Sequence, residues 1–136
     1  MKGFTLLEMI VVIVIIGVLA TLGFRQYMPV RESALSREAV ANLRLIRAAE
    51  RIYRMETTTY YPATGTENNI GNINNNLKLS LTTNNWGYSI TTTNAAPPTF
   101  TATADRVGTG GYLDCQWSIN QGQDNPIVVT DTLCMQ

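Results

Sequence analysis

FTLLEMIVVIVIIGVLATLGF, the stretch from Phe4 to Phe24, is almost wholly apolar; Thr5, Glu8, Gly17, Thr21 and Gly23 are its interruptions. At 1.5 Å per residue a helix of this length is about 32 Å long, enough to cross the hydrocarbon core of a bilayer. Val18-Leu19-Ala20 supplies the small residues a signal peptidase favours, so a secretory signal cut after Ala20 is the competing reading. The length of the run and a carboxylate near its start, Glu8, weigh against it. A carboxylate in an apolar helix costs about 2.5–3.5 kcal/mol at the bilayer centre and less near the edge. Either Glu8 lies close enough to the interface to reach water, or it meets a cation brought by another chain.

Working outward, Val30 to Met55 is predicted as a helix, with Leu35, Ala39, Asn42, Ile46, Ala49 and Tyr53 recurring at three- and four-residue spacing as one face. Arg37, Arg44, Arg47, Arg51 and Arg54 are expected on the opposite face, with Glu50 placed to pair with Arg54 four residues on. Joined to the apolar run, residues 4–55 make one helix about 78 Å long, with Gly17, Gly23 and Pro29 as its weak points. The two glycines fit either close helix–helix packing or local melting.

Past Tyr60-Tyr61-Pro62 the helical period stops, and the Asn- and Gly-rich stretch 65–76 reads as a loop. Alternation then marks three strands. Trp86, Tyr88 and Ile90 share one face, as do Phe100, Ala102 and Ala104, and Leu113, Cys115, Trp117 and Ile119. These imply a small antiparallel sheet with one apolar face, too small to bury its own core and suited to pack on the amphipathic helix. The fold class is therefore α+β.

Charge and composition narrow the function. Lys and Arg total 10, as do Asp and Glu, so the whole molecule is neutral. Residues 1–56 hold eight of the basic residues, leaving only Lys78 and Arg106 against five acids in 57–136. The head is not basic, so nucleic acid is not an expected partner. With no histidine and no paired acidic cluster, nothing points to an enzyme, a cofactor or a firm metal site. Asp124, Asn125 and Asp131 are weak candidates for calcium. Cys115 and Cys134 would close one C-terminal loop in an oxidising compartment.

Lys2-Gly3-Phe4-Thr5-Leu6-Leu7-Glu8, set directly before the apolar run, resembles the cleavage and methylation motif of type IV prepilins and pseudopilins. The resemblance is close over residues 3–24 and looser to about Pro62. It implies a leader of residues 1–3, a membrane and filament-core helix over 4–24, its amphipathic continuation over 25–56 and a β-rich head over 57–136. It implies cleavage by a prepilin peptidase between Gly3 and Phe4, methylation of the Phe4 amine and a role for Glu8 in assembly, through the amine of a neighbouring copy. The partners so implied are further copies of the chain in a helical filament and an assembly machinery in the inner membrane. The subunit would sit there as a single-pass protein before joining an extracellular pilus. Within the class, the cysteine loop favours a pilus subunit; a pseudopilin of a type II secretion system is the alternative. Two features depart from the pattern. The leader is only three residues long, and Pro29 comes later than the usual helix proline. Charge counting is no guide to orientation, since Lys2 is outweighed by Arg25, Arg31 and Arg37.

Overall fold

The computed structural model describes residues 3–93, 95–108, 114–130 and 134; the side chains at 22–26 and 28 are not among those described. One helix, α1 (Leu6–Thr57, 52 residues), forms the spine. Thr5 caps its start and Thr58 ends it in the left-handed conformation, φ 69°, with its N–H on the Arg54 carbonyl. Pro29 removes one backbone donor from the helix interior, yet α1 continues through it. Expected weak points at Gly17 and Gly23 likewise lie within continuous helix.

After α1 come β1 (Gly65–Glu67), α2 (Ile70–Leu77), β2 (Trp86–Thr93), β3 (Thr99–Arg106), β4 (Gln116–Asn120) and β5 (Ile127–Thr130). The five strands form an antiparallel sheet in sequence order. One face lies on the second half of α1, the pilin-like layout that the resemblance implied.

Two corrections concern the head. The stretch 65–76 is not a loop: it holds β1 and most of α2. Asn69 caps α2, Ile73 and Leu77 bury one side of it, and Asn74 grips the following chain through both its amide groups. Leu81 is the residue so held, its N–H and carbonyl both bonded to Asn74. The sheet also gains β5 beyond the three expected strands. Leu113, expected on the third strand, lies outside the described residues.

The helix face is also rotated from the expected one. Of the expected face, Ala39, Ile46 and Ala49 are buried and Leu35, Asn42 and Tyr53 half-buried; the seam beneath the sheet extends to one side of them through Glu32, Ser36, Leu43 and Glu50. Against it pack Trp86, Tyr88, Ile90, Phe100, Ala102, Ala104, Cys115, Trp117 and Ile119. Two polar clasps fix the spacing: the Trp86 indole donates to the Leu35 carbonyl at 2.8 Å, and Asn42 donates to the Tyr88 hydroxyl at 2.7 Å.

Candidate functional site

The N-terminal turn carries the motif residues. Thr5 and Glu8 form a capping box. The Glu8 N–H donates to Thr5 Oγ1 at 3.2 Å, and the Thr5 N–H and hydroxyl donate to Glu8 Oε2 at 2.9 and 3.0 Å. This satisfies amides that the first turn of a helix otherwise leaves without partners. The Thr-x-x-Glu spacing is a capping signature that the sequence carries in plain form, and it is absent from the sequence-based expectations above. Among the described residues Oε1 accepts no hydrogen bond.

Around this turn the chain is bare. Phe4 is 79% exposed, and an added Cβ at Gly3 would meet nothing within 4 Å. The Gly3–Phe4 pair, where the resemblance implies a cut, is thus exposed. Every large apolar side chain from Leu6 to Leu19 also stays exposed, between 47% and 77%. Gly17 faces open space. Among the described residues no helix is long and apolar enough to cross a membrane. Described side chains of the apolar stretch end at Thr21, so Leu22, Gly23 and Phe24 of the expected 4–24 segment lie outside them.

The head is clamped to α1 at both ends of the buried seam by a carboxylate. At the lower end Glu32 takes Arg106 in two contacts, Nε to Oε2 at 3.1 Å and Nη2 to Oε1 at 3.2 Å, with both side chains about nine-tenths buried. At the upper end Glu50 is fully buried and accepts the Tyr61 N–H at 2.9 Å. Among the described residues its Oε1 has no partner. Burial pushes its carboxyl up to about 7, against the smaller opposing pull of the Tyr61 amide. The expected Glu50–Arg54 pair does not form: Arg54 donates instead to the Tyr60 hydroxyl at 2.8 Å and lies over that ring.

The arginine face needs the same correction. Arg47 and Arg44 reach across to the β4–β5 turn, bonding Asp124 at 2.9 Å and Asn125 at 2.6 Å. These two calcium candidates therefore turn an oxygen toward arginines, and the third, Asp131, lies outside the described residues. Among the described residues no group of acids gathers as a metal site would need. Cys115 and Cys134 are joined, with 5.0 Å between their Cα atoms, tying the start of β4 to the chain after β5.

The family model of the prokaryotic N-terminal methylation motif matches residues 1–24. The chain is similar to type II secretion system core protein G of Escherichia coli (strain K12), 43% identical over 63 residues, which is 46% of this chain and 43% of that one. It is also similar to type II secretion system core protein G of Pectobacterium carotovorum subsp. carotovorum, 41% identical over 59 residues, 43% of this chain and 38% of that one. The chain thus spans about two fifths of the length of these curated relatives. No solved structure matches it. The chain is pilin- or pseudopilin-like.

Proposed function

We propose that this pilin-like chain is the structural subunit of a type IV pilus-like extracellular filament and acts by assembly, without catalysis. The observation that carries the reading is the unequal helix: one continuous α1, apolar and uncovered on every side over its first half and clamped under the sheet over its second. Uncovered apolar surface of that extent must be met by lipid or by other chains. In the precursor, residues 4–24 lie in the inner membrane with the head outside. A prepilin peptidase removes residues 1–3, and Phe4 becomes the methylated N-terminus. The apolar halves then leave the lipid and bundle as the filament core, drawn from the membrane by its assembly machinery. Residues 57–136 form the outer surface.

Glu8 steers that transfer. Its carboxylate is poorly solvated in lipid, and cleavage creates a positive amine on Phe4 at the matching depth of an incoming copy. Meeting that amine offsets part of the cost of holding the charge there. The capping box occupies Oε2, which leaves Oε1 for the amine.

N-terminal sequencing and intact mass of the mature protein test the reading. A chain beginning at methylated Phe4 supports it; one beginning at Thr21 means a secreted module and overturns it. The relatives' names favour a second reading, a pseudopilin of a type II secretion system. Deleting the gene separates the two: loss of surface filaments marks the pilus, and loss of protein secretion with filaments unaffected marks the pseudopilus.

A further inference from the structure

Where α1 ends against the head, Arg51, Arg54, Met55, Tyr60 and Gln121 line a cavity of about 550 Å³ that opens to solvent. Arg51 and Arg54 stand three residues apart on the helix, so their side chains are neighbours. They continue the row of Arg44 and Arg47. That lower pair is met by Asn125 and Asp124 of the β4–β5 turn, whereas among the described residues no acid meets the upper pair.

Every polar group of the lining still has donors to give. The Arg51 guanidinium is exposed and makes no hydrogen bond among the described residues. Arg54 gives one N–H to the Tyr60 hydroxyl at 2.8 Å and lies 4.9 Å from the centre of that ring. This contact holds the guanidinium in place and leaves its other N–H groups unused. Tyr60 is only 4% exposed; its oxygen accepts the Arg54 bond, and its own O–H has no acceptor among the described residues. Gln121 Oε1 accepts the Phe100 N–H at 3.1 Å, which leaves the amide hydrogens on Nε2 to donate. Met55 adds an exposed apolar wall.

A cavity that offers only donors, two of its groups being guanidinium, suits an oxygen-rich anion. Charge and donor number narrow the choice. A phosphate monoester carries about −1.5 to −2 charges at pH 7 and three strong acceptor oxygens, matching two cations flanked by two neutral donors. A carboxylate brings one charge and two oxygens. The volume falls within the range of small-molecule sites, about 300–1,000 Å³, and exceeds what a bare phosphate fills. The organic part of an ester therefore has room beside Met55.

We propose that this cavity binds the phosphate monoester of a small organic molecule from the surrounding medium. Arg54, fixed by Tyr60, and the unpaired Arg51 grip the phosphate, and Tyr60 and Gln121 donate to its remaining oxygens. The headgroups of a bilayer around residues 4–24 are out of reach, since Arg51 lies about 45 Å along α1 from Thr21.

The test is titration calorimetry of the full chain in an uncharged detergent, with glucose 6-phosphate as probe and glucose as control. Saturable binding at one site per chain, weakened by salt, is expected, with none of glucose. Inorganic phosphate should bind about threefold or more weakly than the ester. Gln121→Glu keeps an acceptor for the Phe100 N–H but sets a carboxylate among the arginines. It should weaken binding by about tenfold or more, as should Arg51→Gln, with unfolding curves like that of the native chain. Arg44→Gln, outside the cavity, should bind within about twofold of the native chain. No saturation below about 10 mM, equal binding of glucose, or full binding by both Gln121→Glu and Arg51→Gln overturns the proposal. An equal loss in Arg44→Gln also overturns it, since the attraction would then belong to the basic row as a whole. Tighter binding of a short oligonucleotide, a phosphodiester, overturns the assignment to a monoester.

Discussion

Between Leu6 and Leu19, α1 carries apolar side chains on every face and the chain covers none of them; between Glu32 and Glu50 it carries a seam that the sheet covers completely. The regular helix continues from one region to the other, so backbone hydrogen bonding does not distinguish them. What differs is where the burial comes from. The second half draws its stability from its own head and is finished when the chain folds. In the proposed filament the first half is finished only when lipid or other copies cover it. Folding and assembly are therefore separable, and the carboxylates show the division: Glu32 and Glu50 are buried by the chain itself, while Glu8 waits exposed at the open end.

The largest expected effect breaks the unfinished half. Glu8→Ala should leave membrane insertion and cleavage near normal and reduce sheared filaments by well over tenfold. Loss of one partner of a desolvated pair costs about 3–5 kcal/mol in buried cases. Glu8→Asp should be partly active if reach matters. Glu8→Gln sharpens the test, because glutamine also completes a capping box but carries no charge. Filaments from Gln but not from Ala would assign Glu8 to the cap; normal filaments from Ala would leave it without a role in assembly.

The finished half should be breakable with no help from assembly. Removing residues 1–27 takes away the surface that needs lipid or neighbours, so the remaining head should be soluble and monomeric. In that fragment Arg106→Ala strands the buried Glu32 carboxylate and should cost about 3–5 kcal/mol in denaturant unfolding. A loss under about 1 kcal/mol would mean that the clamp is mostly solvated.

A smaller contrast lies within two residues of sequence. Leu43 is fully buried and Leu45 is 52% exposed. Leu43→Ala should destabilise the head by about 2–5 kcal/mol, and Leu45→Ala by no more than about 0.5. Equal losses of head stability would contradict the orientation of the helix.

That orientation was the part of the fold least legible in the sequence. The apolar run, the length of the helix and the alternation in β2, β3 and β4 were plain, since each is a local pattern. The expected face shares Ala39, Ile46 and Ala49 with the buried one but leans toward Asn42 and Tyr53, because Glu32, Ser36 and Glu50 interrupt the apolar period. The burial of Glu32 and Glu50 depends on Arg106 and the Tyr61 amide, 74 and 11 residues away in the chain. The arginines are not simply opposite the seam, since Arg44 and Arg47 reach the β4–β5 turn, which no local pattern signals. β1 and α2 were read as loop because Asn-rich sequence is a poor helix former and three residues are too few to show alternation. Pairing with β2 and the Asn74–Leu81 clasp fix them, and neither is a local signal. Of the candidate site, the motif residues and the cysteine pair were legible, and the use of Glu8 in the cap was present in its spacing from Thr5.

The finest distinction is between the two carboxylates that close the buried seam. Glu32 faces a guanidinium. Among the described residues Glu50 has only the Tyr61 amide and leaves one oxygen without a partner; its carboxyl is raised from 4.5 to about 7. Its neighbours on the helix do not compensate, since Arg47 is turned to Asp124 and Arg54 to Tyr60. A carboxyl whose folded value lies above its unfolded one favours the fold when protonated. Its contribution is full below about pH 4.5, declines as the pH rises and is gone once the pH has passed about 7. The span corresponds to at most about 3 kcal/mol. Glu50→Gln keeps the shape and an acceptor for Tyr61 but cannot ionise. The two proteins should therefore unfold alike near pH 4.5, and the glutamine variant should become the more stable as the pH is raised to about 8. Replacing Glu32 by Gln should not reproduce this pattern, because it strands Arg106 at neutral pH. Parallel stability curves for the native head and Glu50→Gln between about pH 5 and 8 would show that the buried carboxylate is compensated, and would remove the difference between the two ends of the seam.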